Sequence, residues 1–454
     1  MTDQMPAADG RPNIVFVFGD QWGAFATGYS GNPDVQTPNI DALADESVVF
    51  TNAVSCCPVC TPYRANLLTG RFPTAHGLFL NDLRLPEEEI SIADVLGGQG
   101  YDTAYIGKWH LDGPDRLAFT PPGRRRHGFD YWAVADCTHD YLHSIYYRGD
   151  DPTPRYWEGY DAHAQTDDAI SYIESHGQER PYCLFLSWGP PHFPWREVPQ
   201  EYLDMYDGRR FARTPNRWEV DERQLAGYYA HCTALDEDIG RLVETLERTG
   251  QADNTIFIFT SDHGTMMGSH GLVTTLKQYP YAESALVPLV VRYPREQRSA
   301  CRVEAPLNEV DLMPTLLSMA GAPIPEGVQG QDLTQLITGG PGEVPSSSLV
   351  MSVAPFNINY LAHMPAYRGI YTARYAYMRA LQGPWLLFDN AEDPYQMHNL
   401  ALLPEHANLV EELDAELQTW LDRTGDPFLS AEEHIAQWGY QVDHKHDIPF
   451  KMTL

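Results

Sequence analysis

Basic residues are scarce in this chain: 31 Lys and Arg stand against 62 Asp and Glu in 454 residues, a formal charge of −31. An acidic surface of that strength argues against nucleic acid or an anionic membrane as a partner. No apolar run approaches the roughly 20 residues that a transmembrane helix needs. The opening stretch, MTDQMPAADGRPN, has neither a basic start nor an apolar core. No secretory signal is seen in it, and the expectation is a cytoplasmic protein. Seven cysteines, an odd number spread over a long chain, do not suggest a disulfide framework. Internal repeats and long low-complexity segments are also missing. What remains is an ordinary globular composition, 43% hydrophobic and 20% charged. The length suits one large α/β core with a smaller appendage, or about two or three ordinary domains.

Five short runs are apolar almost without alternation, as strands buried on both faces should be: residues 14–18, 103–106, 182–188, 255–260 and 286–291. Helical patterns lie between them. Residues 38–46 follow Thr37, read as an N-cap, and a 3.6-residue apolar rhythm marks 91–96, 236–246 and 310–319. This alternation predicts an α/β fold, a large, mostly parallel sheet flanked by helices on both faces. The Gly-, Pro- and Ser-rich stretch 339–348 reads as a linker. It separates an α/β domain, residues 1–345, from a C-terminal α+β subdomain, residues 346–454. In that subdomain 369–381 and 385–388 are expected as strands of a small antiparallel sheet, covered by an amphipathic helix over 408–423.

Open α/β sheets bind ligands beyond the carboxyl ends of their strands. Asp20 and Gln21 follow the first predicted strand, Lys108 and His110 the second, His192 the third, and Asp262 and His263 the fourth. Ligand-capable residues at the same edge of four strands suggest one shared site. Cys60 opens a predicted helix with Pro62 in its first turn and Gly70 near its end. A cysteine there sits among backbone N–H groups that stabilise negative charge. Cys57 and Cys60 also make a C-x-x-C, readable as a redox pair or half a zinc site, and a small buried hydrophobe is a third reading.

Cys60-x-Pro62-x-Arg64, continued by Leu68-Thr69-Gly70-Arg71, resembles the signature of the sulfatase family. The likeness extends through Pro12-Asn13-Ile14, Thr37-Pro38-Asn39-Ile40-Asp41, Gly107-Lys108-Trp109-His110, Ala234-Leu235-Asp236, Thr260-Ser261-Asp262-His263-Gly264 and Asp393-Pro394-Tyr395. It implies the alkaline phosphatase superfamily fold and a formylglycine made from Cys60 by a formylglycine-generating enzyme. The hydrated aldehyde would attack sulfur, and its second hydroxyl would let the intermediate collapse. By the same resemblance Asp20, Gln21, Asp262 and His263 hold one divalent metal. The family more often has Asp where Gln21 stands and Asn where His263 stands. This set is similar to the branch that includes phosphonate monoester hydrolases. Oxygen ligands favour Ca²⁺, and the imidazole makes Mn²⁺ the alternative.

The resemblance also gives Arg64 the diol or a ligating carboxylate to hold, makes Lys108 and Lys277 sulfate clamps, and has His110 take the diol proton. His192 would protonate or hydrogen-bond the leaving oxygen. Asn81 is placed at the sulfate, while His76 and His270 are read as structural. An anionic substrate in an acidic protein requires a local positive basin, and screening beyond about 8 Å isolates that basin from the surface. Trp195 and the aromatics of 129–160, among them Tyr131, Trp132, Tyr141, Tyr146, Tyr147, Trp157 and Tyr160, read equally as a sugar-stacking rim or as core. The expected substrate is a sulfate ester on a small molecule or a saccharide, foremost a sulfated carbohydrate. The alternatives are phosphonate or phosphodiester hydrolysis on the same site and, with Cys60 unconverted, anion binding without turnover. Homo-oligomers are compatible with all three.

Overall fold

The computed structural model describes residues 10–177, 179–219 and 221–453. A ten-stranded sheet dominates it. From one edge to the other the strands are Cys301–Val303, Val48–Phe50, Leu289–Arg292, Thr255–Ser261, Asn13–Gly19, Tyr182–Ser187, Asp102–Lys108, Tyr131–Ala135, Ile145–Arg148 and Asp151–Tyr156. The five from Thr255–Ser261 to Tyr131–Ala135 pair in parallel, and Leu289–Arg292 and Ile145–Arg148 run against them. The predicted mostly parallel sheet is therefore present.

The continuous apolar runs arise because both faces are covered. In Asn13–Gly19 the side chains of Ile14, Phe16 and Phe18 enter one core while Val15 and Val17 enter the other. Successive strand residues point to opposite faces, so a strand buried twice has no polar face to show. One core packs against helices Cys60–Thr69, Ile92–Gly98 and Leu312–Met319, the other against Asp161–Ser175 and Glu222–Arg248. Among the described residues no helix is long and apolar enough to cross a membrane.

Several local expectations are revised. The rhythm over 236–246 belongs to a 27-residue helix, Glu222–Arg248, capped by Asp221. Thr37 precedes helix Pro38–Asp45 but makes no side-chain cap bond, because its hydroxyl serves Gly28 N and Asp41 instead. Ser91 does form a capping box with Asp94, opening helix Ile92–Gly98. Of the stretch 286–291, only Leu289 onward joins the sheet.

The linker reading fails at its end, since Ser347 and Ser348 already lie in strand Ser347–Ser352. That strand, Tyr367–Thr372, Tyr375–Ala380 and Gly383–Asp389 form an antiparallel meander. Residues 369–381, read as one strand, make two strands of a hairpin. Helix Ala407–Thr424 packs on this sheet, as expected for 408–423. The sheet also packs against the main domain through Tyr367, Tyr371, Met378 and Phe388, which meet Leu276, Tyr279 and Ala285.

Candidate active site

Helix Cys60–Thr69 is buried along its whole length and ends at Gly70, whose φ of +64° suits a residue without Cβ. No side chain caps it from the preceding turn. Instead Asn81 Oδ1 accepts from Thr61 N (3.1 Å), and the Thr61 hydroxyl donates to His110 O (2.9 Å). The start of the helix is thus tied to the loop after strand Asp102–Lys108. Cys60 lies at this start, 1% exposed.

Around its sulfur the strand ends converge. Asp20 Oδ1 is 3.6 Å from Cys60 Sγ and His263 Nε2 is 3.3 Å away, while Lys277 Nζ donates to the sulfur at 2.9 Å. Lys277 also lies 3.1 Å from His263 Nε2 and 3.4 Å from His192 Nε2. Lys108 Nζ donates to Asp20 Oδ2 at 2.6 Å. Arg64 reaches Asp20 at 3.3 Å and Asp262 at 3.4 Å, and its other nitrogen donates to Ser187 Oγ and to Lys108 O. The required positive basin is therefore built from buried cations within an acidic protein.

That basin sets the protonation states. Burial and Asp20 push the Cys60 thiol up, but Lys108, Lys277 and His263 outweigh them and hold it well below the ordinary thiol value. Burial also raises Asp20, and Lys108, His192, Lys277 and His263 overcome it and keep the carboxyl well below its usual range. Asp262 is raised to about 6 by burial and by Asp20 beside it. His192 is held well below the ordinary imidazole value by burial, His139 and Lys277. His110 goes the other way. Burial opposes its charge, but Cys137 and Asp82 raise it well above the ordinary value.

A divalent metal fits these residues. Ligand atoms of Asp20, Cys60, Asp262 and His263 all lie within 4.8 Å of one another. His263 Nδ1 is engaged by Gly264 O at 2.8 Å, which leaves Nε2 facing the cluster. Gln21 has a φ of +69°, and its amide nitrogen donates to Thr265 Oγ1 and Thr275 O. Its buried Oε1 has no partner among the described residues. An acceptor left bare at depth is what a cation ligand looks like before the cation is counted.

Cys60, Asn81, Lys108, His110, His192 and Lys277 line one cleft of about 410 Å³. Trp195 does not line it. Its indole is buried, donates to Pro191 O at 2.8 Å and packs edge-on to Tyr228. Most of the aromatics in 129–160 are core as well: Trp132, Tyr141, Tyr147, Trp157 and Tyr160 are buried, and Tyr146 stacks on Trp157. His76 bonds Asn66 at 2.8 Å and His270 reaches Asn216, outside the cleft.

Other cleft residues escaped the sequence reading. His110 Nε2 meets Asp82 Oδ1 at 3.2 Å, and Arg116 grips Asp82 with two bonds of 2.6 and 2.8 Å. His139 stacks on His192 with ring centroids 4.3 Å apart. Phe356, Asn357, Asn359, Asp447 and Phe450 come from the C-terminal part. His139 comes four residues after strand Tyr131–Ala135, which was not among the predicted strands, so the strand-end rule did not reach it. No comparable signal marks the C-terminal residues.

Similarity to known proteins agrees with this geometry. A sulfatase family model matches residues 12–322, and a model of the N-sulphoglucosamine sulphohydrolase C-terminal region matches residues 268–423. An ulvan-active sulfatase of Formosa agariphila is 45% identical over 447 residues, covering 97% of this chain and 87% of its own. An endo-4-O-sulfatase of Bacteroides thetaiotaomicron is 31% identical, with 92% and 93% covered. A solved structure from work on glycosaminoglycan metabolism by Bacteroides thetaiotaomicron superposes with a TM-score of 0.83 at 30% identity, covering 97% of this chain and all of that one. With the strand-end cluster gathered at Cys60 and the likeness running from residue 12 to residue 423, the chain belongs to the sulfatase family.

Proposed function

We propose that the protein hydrolyses a sulfate monoester carried on a saccharide. The observation that carries this reading is the meeting at Cys60 Sγ of a helix N-terminus, Lys277 Nζ at 2.9 Å and the Asp20, Asp262 and His263 cluster. The saccharide is supported by the substrate named for the Formosa agariphila relative. The Sγ atom marks where a formylglycine oxygen would lie. Position 60 as formylglycine would supply a hydrated aldehyde as nucleophile, and a divalent metal on Asp20, Gln21, Asp262 and His263 would neutralise sulfate oxygens. Ca²⁺ is our first assignment and Mn²⁺ our second.

The chain's own groups supply the remainder. Lys108 and Lys277 hold the sulfate oxygens as point charges, and the burial of Lys108 strengthens its contact. Arg64 holds both proposed ligating carboxylates with one guanidinium nitrogen, while its other nitrogen is anchored to Ser187 Oγ and Lys108 O. His110, held in its charged form by Cys137 and Asp82, serves the nucleophile side in the free site by donating a hydrogen bond rather than by taking the diol proton. His192 is neutral in the free site. A bound sulfate ester adds negative charge beside it, opposing the effect of His139 and Lys277, and thereby favours the protonated form that donates to the leaving oxygen.

Two measurements test this. Peptide mapping across Cys60 should show a mass about 18 Da below cysteine, the aldehyde replacing the thiol. An unmodified thiol in active protein would overturn the nucleophile assignment, and one in inactive protein would leave an anion-binding fold. The second reading, phosphonate or phosphodiester hydrolysis, is favoured by the amide of Gln21 and the imidazole of His263 in the ligand set. Turnover of p-nitrophenyl sulfate should exceed that of the p-nitrophenyl ester of phenylphosphonate, and a large reverse preference would select the second reading.

A further inference from the structure

One wall of the cleft comes from the C-terminal part of the chain, in which Asn357 and Asn359 lie inside the second matched family region and Asp447 and Phe450 lie beyond it. The C-terminal tail returns to the cleft mouth and is fastened at several points. Lys451 exchanges backbone bonds with Pro114 O and Arg116 N, both 2.9 Å, and the Thr453 hydroxyl donates to Asp115 at 2.7 Å. Lys445 O accepts from Asn357 N at 2.8 Å, and His446 stacks on Tyr360 at 3.8 Å. The tail thereby brings Asp447 and Phe450 into the cleft that Cys60 lines.

Three features of this wall exceed what its packing accounts for. Phe450 is 46% exposed although its ring lies 3.7 Å from the Arg116 guanidinium, so much of an aromatic surface is left to the cleft mouth. Asn357 has φ +57° and ψ −136°, a backbone region that costs on the order of 1–3 kcal/mol outside glycine and persists where a site demands it. Asn359 is 2% exposed, lines the same cleft and keeps Oδ1 without a partner among the described residues. A flat apolar face beside amide and carboxylate acceptors matches a pyranose, which presents C–H groups on one face and hydroxyls around its rim.

We propose that this wall is a saccharide subsite: Phe450 stacks on the ring of the sulfated sugar, and Asn359 and Asp447 accept hydrogen bonds from its hydroxyls. The inference rests on the sulfatase reading above and specifies how the leaving group is recognised. It makes the tail a specificity-determining element, and Arg116 a positioning residue shared between Phe450 and the Asp82–His110 pair.

The test begins with a panel of monosulfated disaccharides, the one cleaved fastest being carried forward beside p-nitrophenyl sulfate. Phe450→Ala should raise KM for that disaccharide about tenfold with kcat kept within about threefold, since losing one stacking contact weakens ground-state and transition-state binding alike. The rise for p-nitrophenyl sulfate should be smaller. A disaccharide KM within about twofold of the parent, or equal rises for both substrates, would overturn the subsite. Asn359→Ala should act in the same direction. If it fails to fold, Asp447→Ala replaces it, because Asp447 is only half-buried and alanine removes the acceptor. Failure of the sulfatase reading appears separately, as absence of turnover of every sulfate ester by the unaltered protein.

Discussion

The strand-end wall of the cleft and its C-terminal wall reach Cys60 by different means. Asp20, Lys108 and Asp262 stand at or just past the ends of parallel strands whose ladders fix them, and Arg64 locks two of the three together. Lys277, Asn359 and Phe450 stand on loops, a one-turn helix and a tail, held by a few side-chain and backbone bonds. Groups that must meet a transition state within a fraction of an ångström are best mounted on regular elements. Groups that distinguish substrates tolerate a looser mount and vary more readily. Lys277 is the informative exception, since its chemistry is of the first kind and its support of the second.

The sharpest way to break the comparison is at the point where the walls meet. If position 60 is the nucleophile as proposed, Cys60→Ala should reduce turnover of p-nitrophenyl sulfate by about 10⁴-fold or more. A residual rate within about a hundredfold would mean that the strand-end wall catalyses without it. Lys277→Ala should lower kcat/KM by about 10²–10³-fold, the cost of one preorganised charge at the reacting centre. A smaller loss than for Lys108→Ala would show that the loop-borne lysine is subordinate.

Two further predictions concern the supports. In the C-terminal subdomain Arg368 and Asp426 form a buried pair at 2.5 Å. Burial raises Asp426, yet Arg368 outweighs it and holds the carboxyl below its usual range. The folded value is thus lower than the unfolded one, so the stabilisation is present above about pH 4 and is lost as pH falls through the folded value. Asp426→Asn should cost about 3 kcal/mol in urea unfolding at pH 7 and flatten that acid slope; an unaltered slope would assign the acid loss to other groups. Tyr367→Phe removes the hydroxyl that donates to Gln278 O at 2.8 Å. It should cost about 1 kcal/mol and weaken turnover more than an equal destabilisation far from the cleft. Equal effects from both would mean that the loop carrying Lys277 keeps its place unaided.

The same division governs how much could be read from sequence. The apolar runs and the polar residues that follow them revealed the sheet and its functional edge, because burial on two faces and the end of a strand both leave local patterns. Trp195 was misplaced for the converse reason. An aromatic next to His192 looks identical whether it turns toward the cleft or toward Tyr228, and only packing decides. Asp82, Arg116 and Phe450 were invisible because their roles depend on contacts across the chain, Arg116 to Phe450 most of all. The hairpin within 367–380 was missed since Thr372 and Arg374 give no glycine or proline signal at the turn between its strands.

The hydroxyls of Tyr367 and Tyr371, bonded to the carbonyl oxygens of Gln278 and Pro280 at 2.8 and 2.6 Å, have a wider consequence. They make the small sheet a mooring for the loop that carries Lys277. A chain shortened before residue 346 would retain Cys60 and every proposed metal ligand, and it would also retain Lys277. It would lose the two hydroxyl bonds that hold that lysine's loop, and part of the core with them, since Leu349, Met351, Ile370 and Leu417 pack in one cluster with Cys57 and Leu68.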